Sequence, residues 1–104
     1  MSFVNAVSST NKACITNGLN IVAVGTGLAD ATLGAPSPGH ECTIRVGSLT
    51  SGTGVVTTAA GITFDGTNNT ATFDAAQEAL VLVYEDYNKW AIKLNVGGVA
   101  LSSV

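Results

Sequence analysis

The sequence predicts an all-β domain: a compact antiparallel β-sandwich or barrel-like body of short strands, with an extended N-terminal arm. Three observations lead there. Runs of β-branched and aromatic residues are separated by glycine, asparagine, aspartate and proline turns roughly every eight to twelve residues. No stretch carries the period of an amphipathic helix; Asp74-Ala75-Ala76-Gln77-Glu78 makes one helical turn at most. The composition, with 12 Gly and only 11% charged residues, suits tight turns and strands far better than the usual charged share of about 25%. At 104 residues the chain holds a single core. We read residues 1–11 as an N-terminal arm and residues 12–104 as one β domain.

Taken in order, Met1 to Asn11 carries Phe3, Val4 and Val7 without charge or strong period, which suits an arm ordered against a neighbour. Lys12 to Ile15 and Leu19 to Val24 read as strands on either side of the turn Thr16-Asn17-Gly18. Gly25-Thr26-Gly27 reads as a turn rather than a phosphate-binding loop, because Asp30 stands where a dinucleotide motif needs glycine and no helix follows. Ala31 to Leu33 is a short strand. The rigid loop Ala35-Pro36-Ser37-Pro38-Gly39 then delivers the strand His40 to Val46, with Cys42, Ile44 and Val46 inward and Thr43 and Arg45 outward. Val55 to Thr58 is β-prone.

The stretch Gly61 to Leu94 holds the only Trp, both Tyr and two of the three Phe. It reads as a four-strand meander. Ile62 and Phe64 pair through the turn Asp65 to Asn69 with Ala71 and Phe73. Ala79 to Tyr84 is apolar without clean alternation, the mark of a strand covered on both sides. Trp90, Ile92 and Leu94 share one face and Lys93 takes the other. Val99 to Leu101 adds an edge strand.

Composition also limits function. The formal charge is -3, and three Lys and one Arg are scattered along the chain, so no basic patch exists to displace counterions from nucleic acid or to hold an anionic membrane. The N-terminus lacks the basic and apolar regions of a signal peptide, and no apolar run nears the ~20 residues of a membrane span. Low charge makes the surface easy to bury against another copy, which favours oligomers.

Chemistry is sparse. Cys14 and Cys42 read as two buried thiols, with a disulfide between them geometrically open. His40-Glu41-Cys42 is no metal site, since a strand points Glu41 away from its neighbours. His40 has no marked nucleophile beside it, and Asp65 and Asp74 have no apolar pocket to separate their pKa values. We expect no enzyme activity, no cofactor and no metal. Aromatics on a β face can stack on sugars, so a carbohydrate-binding module is one alternative; the phase of Trp90 with Ile92 and Leu94 points instead to core or interface.

The succession Ala31-Thr32-Leu33, Pro38-Gly39, Thr43-Ile44, Ser51-Gly52-Thr53, Thr63-Phe64-Asp65-Gly66, Ala71-Thr72-Phe73, Leu80-Val81-Leu82 and Asn88-Lys89-Trp90 resembles a small β module of tailed-bacteriophage virions. That module serves in capsid decoration (cement) proteins and in trimeric fibre and tail parts. The resemblance spans Leu28 to Leu101. It departs from the family at Gly34, where members often continue the strand, and in standing alone without fibre repeats or heptads.

The resemblance implies a homotrimer that binds the major capsid protein on the outer surface of a phage head. Such a protein is made in the host cytoplasm and bridges capsomers; a small tail or fibre subunit is the nearest alternative. The candidate interface residues are Phe3, Val4, Val7, Arg45, Tyr87 and Trp90.

Overall fold

The structure, a computed structural model, describes residues 4–25 and 30–104. Phe3 and the Thr26-Gly27 turn lie outside the described residues. The strands are β1 (Val4–Val7), β2 (Ala13–Cys14), β3 (Gly18–Val24), β4 (Asp30–Leu33), β5 (Glu41–Leu49), β6 (Gly54–Thr58), β7 (Thr70–Phe73), β8 (Ala79–Asp86), β9 (Lys89–Val96) and β10 (Ala100–Ser102). They form two five-stranded sheets, ordered β1-β3-β5-β8-β9 and β10-β7-β6-β4-β2. The fold is an all-β sandwich, as the sequence predicts.

The sheets are mixed, however, where an antiparallel sandwich was expected. From β1 to β6 every strand lies in the sheet opposite its predecessor, and pairing is parallel between β1 and β3, β3 and β5, β2 and β4, and β4 and β6. The chain winds as a flattened coil with two strands per turn. Only afterwards does it reverse: β7 on β6, β8 on β5, β9 on β8 and β10 on β7 are all antiparallel. Turn residues announce that the chain bends but not the plane in which it bends, and here most turns cross from sheet to sheet.

Two further expectations change. Residues 4–11 are not a separate arm. Val4–Val7 is an edge strand of the domain's own sheet, and Val7, 1% exposed, belongs to the core. Nor does Gly61 to Leu94 form a meander. Ile62 to Asp65 is a loop whose backbone bonds go elsewhere: Phe64 N–H to Asn68 C=O at 2.8 Å, and Thr63 to both Asn88 and Trp90. Asp65 Oδ1 accepts the N–H groups of Thr67 and Asn68 at 3.0 and 2.7 Å, holding the loop so that Phe64 enters the core fully buried. β7 then lies in one sheet, and β8 and β9 in the other.

Between the sheets, Leu33, Ile44, Phe73, Leu80, Leu82 and Trp90 have almost no exposure. Among them sits one buried amide. Asn20 accepts the Ile15 N–H on Oδ1 at 2.8 Å and donates from Nδ2 to Ile15 C=O at 3.0 Å and Thr43 C=O at 3.3 Å. Asn5, its register partner one coil earlier, donates to Asn20 Oδ1 at 3.1 Å and to Ala13 C=O at 2.8 Å. These two side chains tie the turn between β2 and β3 to both neighbouring coils, satisfying backbone groups that strand pairing leaves free.

We expect Asn20→Ala to cost about 2 to 3 kcal/mol, because buried backbone groups lose their partners. Urea unfolding measures this directly. A loss below about 0.5 kcal/mol would show that water replaces the amide at no cost.

Candidate interaction surface

Each sheet has one face in the core and one face outward, and the two outward faces differ chemically. On the β10-β7-β6-β4-β2 sheet one outward-phase row, the register partners Ala13, Thr32, Thr57, Thr70 and Ser102, is rich in hydroxyls, Thr70 itself being buried and bonded to Ser102. The other sheet is aliphatic. Val4, Leu19, Thr43, Val81 and Leu94 are register partners in a row across all five strands. Ala6, Ile21, Arg45, Ala79 and Val96 form the next row, and Glu41, Val83 and Ala91 flank the first on its other side. Val4 is 65% exposed, Leu94 53% and Val96 38%, while Leu19, Ile21, Val81 and Val83 are half-buried.

Two bulges shape this face. Gly47 is the extra residue of β5 opposite Val22 and Ala23. A Cβ placed there would collide with Cγ2 of Ile21, so only glycine lets Ile21 settle over the bulge. Lys93 is the extra residue of β9 between the partners of Val81 and Leu82. Past it the alternation of β9 is inverted, which turns Leu94 outward.

The charges on the face are few. Glu41 pairs with Lys93 at 3.8 Å, both more than half exposed, a contact of little stability. The other ion pair among the described residues joins Lys12 to Asp30 at 3.8 Å. Arg45, exposed in the centre of the aliphatic rows, takes part in neither.

The candidate interface residues therefore separate. Val4 and Arg45 stand on the aliphatic face. Tyr87 projects from the β8-β9 hairpin tip at 86% exposure, where Tyr87 and Asn88 have φ of 65° and 60°, the paired left-handed conformation whose twist matches a two-residue hairpin. Val7 and Trp90 are corrected from surface to core, each 1% exposed. The Trp90 ring meets Tyr84 edge-on, 5.4 Å between centroids at 68°. Inversion at Lys93 parts Trp90 from Leu94, which the sequence had placed on one face. The residues missed are Leu19, Ile21, Val81, Val83 and Val96; for the first four the signal is apolar side chains in both phases of β3 and β8.

The chemically active side chains are dispersed. Among the described residues no three of His, Cys, Asp and Glu converge on a point that could hold a metal ion. His40 Nδ1 lies 2.9 Å from Thr16 Oγ1 and 3.3 Å from the Ser37 N–H, which donates to it, so the ring secures the proline loop. Glu78, buried, accepts the Asp74 and Ala75 N–H groups at 2.6 and 3.1 Å and closes a turn. Cys14 and Cys42 are free and buried. Burial raises the Cys14 thiol to about 11. Burial first, and the nearby Cys14 second, raise Cys42 to about 12, against an opposing hydrogen bond from Asn20. Both thiols are protonated and unreactive near neutrality. No family model matches the chain, and no curated protein matches it in sequence.

The thiols give a signed pH dependence. Their folded values lie above the ordinary 9.0, so their contribution to stability is complete below pH 9 and is lost as pH rises through the folded values. Denaturant unfolding at about pH 7 and about pH 10 should show a loss of stability that shrinks in Cys14→Ala with Cys42→Ala. An unchanged slope in the double variant would assign the loss to other groups.

Proposed function

We propose that this chain is a virion structural protein, a decoration (cement) protein that binds the outer surface of a bacteriophage head and stabilises the shell by bridging capsomers. The observation that supports this reading is the aliphatic outward face of the β1-β3-β5-β8-β9 sheet, carried on a rigid two-sheet body. A part that works by being assembled needs a preformed surface with little charge to desolvate, and this face supplies one. The resemblance in turn and strand order adds the head surface as the place of assembly, the major capsid protein as partner, and a homotrimer as the oligomer. Symmetric oligomers multiply weak contacts at repeated positions on a shell.

The alternatives draw less support. A sugar-stacking platform needs several exposed aromatics on one face; Trp90 and Tyr84 are in the core, which among the described residues leaves Tyr87 alone at the hairpin tip. A fibre subunit that lengthens by adding coils would use the β1 and β2 edges. There Asn11 Nδ2 already binds Ala6 C=O at 2.7 Å and Asn5 Nδ2 binds Ala13 C=O.

Heads of the cognate phage prepared without this protein provide the test. Purified protein should co-sediment with them in fixed proportion and raise their thermal disruption temperature. Binding to tails alone would move the protein to the tail or fibre class, and binding to neither would refute the virion reading.

A further inference from the structure

We propose that the aliphatic face of the β1-β3-β5-β8-β9 sheet is covered by the same face of a second copy, related by a two-fold axis that runs across the strands at the level of Thr43. The inference rests on the reading of the chain as an assembly subunit; it assigns the aliphatic face to self-contact and leaves head contact to the hydroxyl-lined sheet and the edges of the pair. Its basis is where the charges sit. Glu41, Thr43 and Arg45 are successive outward residues of β5, the central strand. Glu41 and Arg45 are about 13 Å apart along the strand, too far to pair with each other.

When two such faces meet about 10 Å apart, a two-fold across the strands sets β5 antiparallel over β5. Arg45 of each copy then faces Glu41 of the other, and two ion pairs form where Arg45 has none among the described residues of the single chain. The row of Val4, Leu19, Thr43, Val81 and Leu94 lies on its own copy. Other symmetries fail on charge. A two-fold along the strands puts Arg45 over Arg45. A three-fold along the strands gathers three Arg45 side chains at one height and three Glu41 at another, so like charges meet. The pattern thus selects a two-fold pair in place of the trimer implied by resemblance.

The size is also adequate. Five strands spaced by about 4.8 Å, over roughly seven residues of 3.3 Å, give a flat face of roughly 500 Å². Side-chain relief brings this towards the ~600–1,000 Å² per partner of specific pairs.

The experiment uses the full chain. Light scattering across a concentration series should give a dimer. Arg45→Glu places Glu over Glu41, and Glu41→Arg places Arg over Arg45; each should weaken the dimer at least about tenfold. The double variant E41R/R45E restores opposite charges across the axis and should recover most of that affinity, which a mere surface or folding defect would not. A trimer, or a double variant no better than the single ones, would overturn the two-fold while leaving the decoration reading to the head-binding assay. A monomer at all concentrations would overturn self-contact through this face, again without deciding head binding.

Discussion

Parallel pairing without helices is the constraint on which this fold depends. Two parallel neighbours cannot be joined by a hairpin; the chain must leave the sheet and return. In this protein the return path is itself a strand of the opposite sheet, so one short segment serves both as connection and as structure. The cost is that each crossing leaves backbone groups at the end of the sandwich without ladder partners. The Asn5 and Asn20 amides meet that need from inside, and Thr50 N–H reaches Val24 C=O at 2.9 Å at the next crossing. The antiparallel strands β7 to β10 then terminate the coil, each placed over a strand already formed.

How much of this was legible follows from what a periodic pattern encodes. The alternation of Cys42, Ile44 and Val46 against Thr43 and Arg45 is local, and the structure has it as read. Strand existence was likewise clear for β3, β4, β6 and β8. Pairing direction is not local: Thr16-Asn17-Gly18 has the same turn chemistry whether it folds back in one sheet or passes to another. Phe64 shows a second limit. Its apolar alternation with Ile62 imitates a strand, yet the Asp65 carboxylate captures the following N–H groups and makes a loop that still buries the ring. One extra residue, Lys93, explains why Leu94 leaves the face of Trp90 and Ile92, because a bulge inverts every outward assignment beyond it.

The surface was half legible for a related reason. Low charge in the composition suggested a face that could be buried, and Val4 and Arg45 do lie on it. Their partners Leu19, Val81 and Leu94 come from strands distant in sequence, so no window of the chain displays the row. Only the register brings them together. Trp90 misled because size and aromaticity mark interface and core alike, and the inward phase of β9 at that position decided between them.

Edges and faces together determine how such a subunit can associate. A sandwich with exposed strand edges can grow without limit by adding strands, and this one has several devices against that. β2 and β10 are very short, the outer carbonyls of Ala6 and Ala13 are taken by asparagine side chains, and β9 carries Lys89, Lys93 and a bulge. The hydroxyl-lined sheet is content with water. The aliphatic sheet is left as the surface whose burial releases the most free energy, and contact through a face differs from contact through an edge in one respect. Pairing two faces by a two-fold consumes both of them, so association closes instead of propagating. A chain with only 11% charged residues has little electrostatic repulsion to keep copies apart. In the proposed two-fold pair, closure of this kind would let the chain carry an aliphatic sheet face and still form a discrete particle.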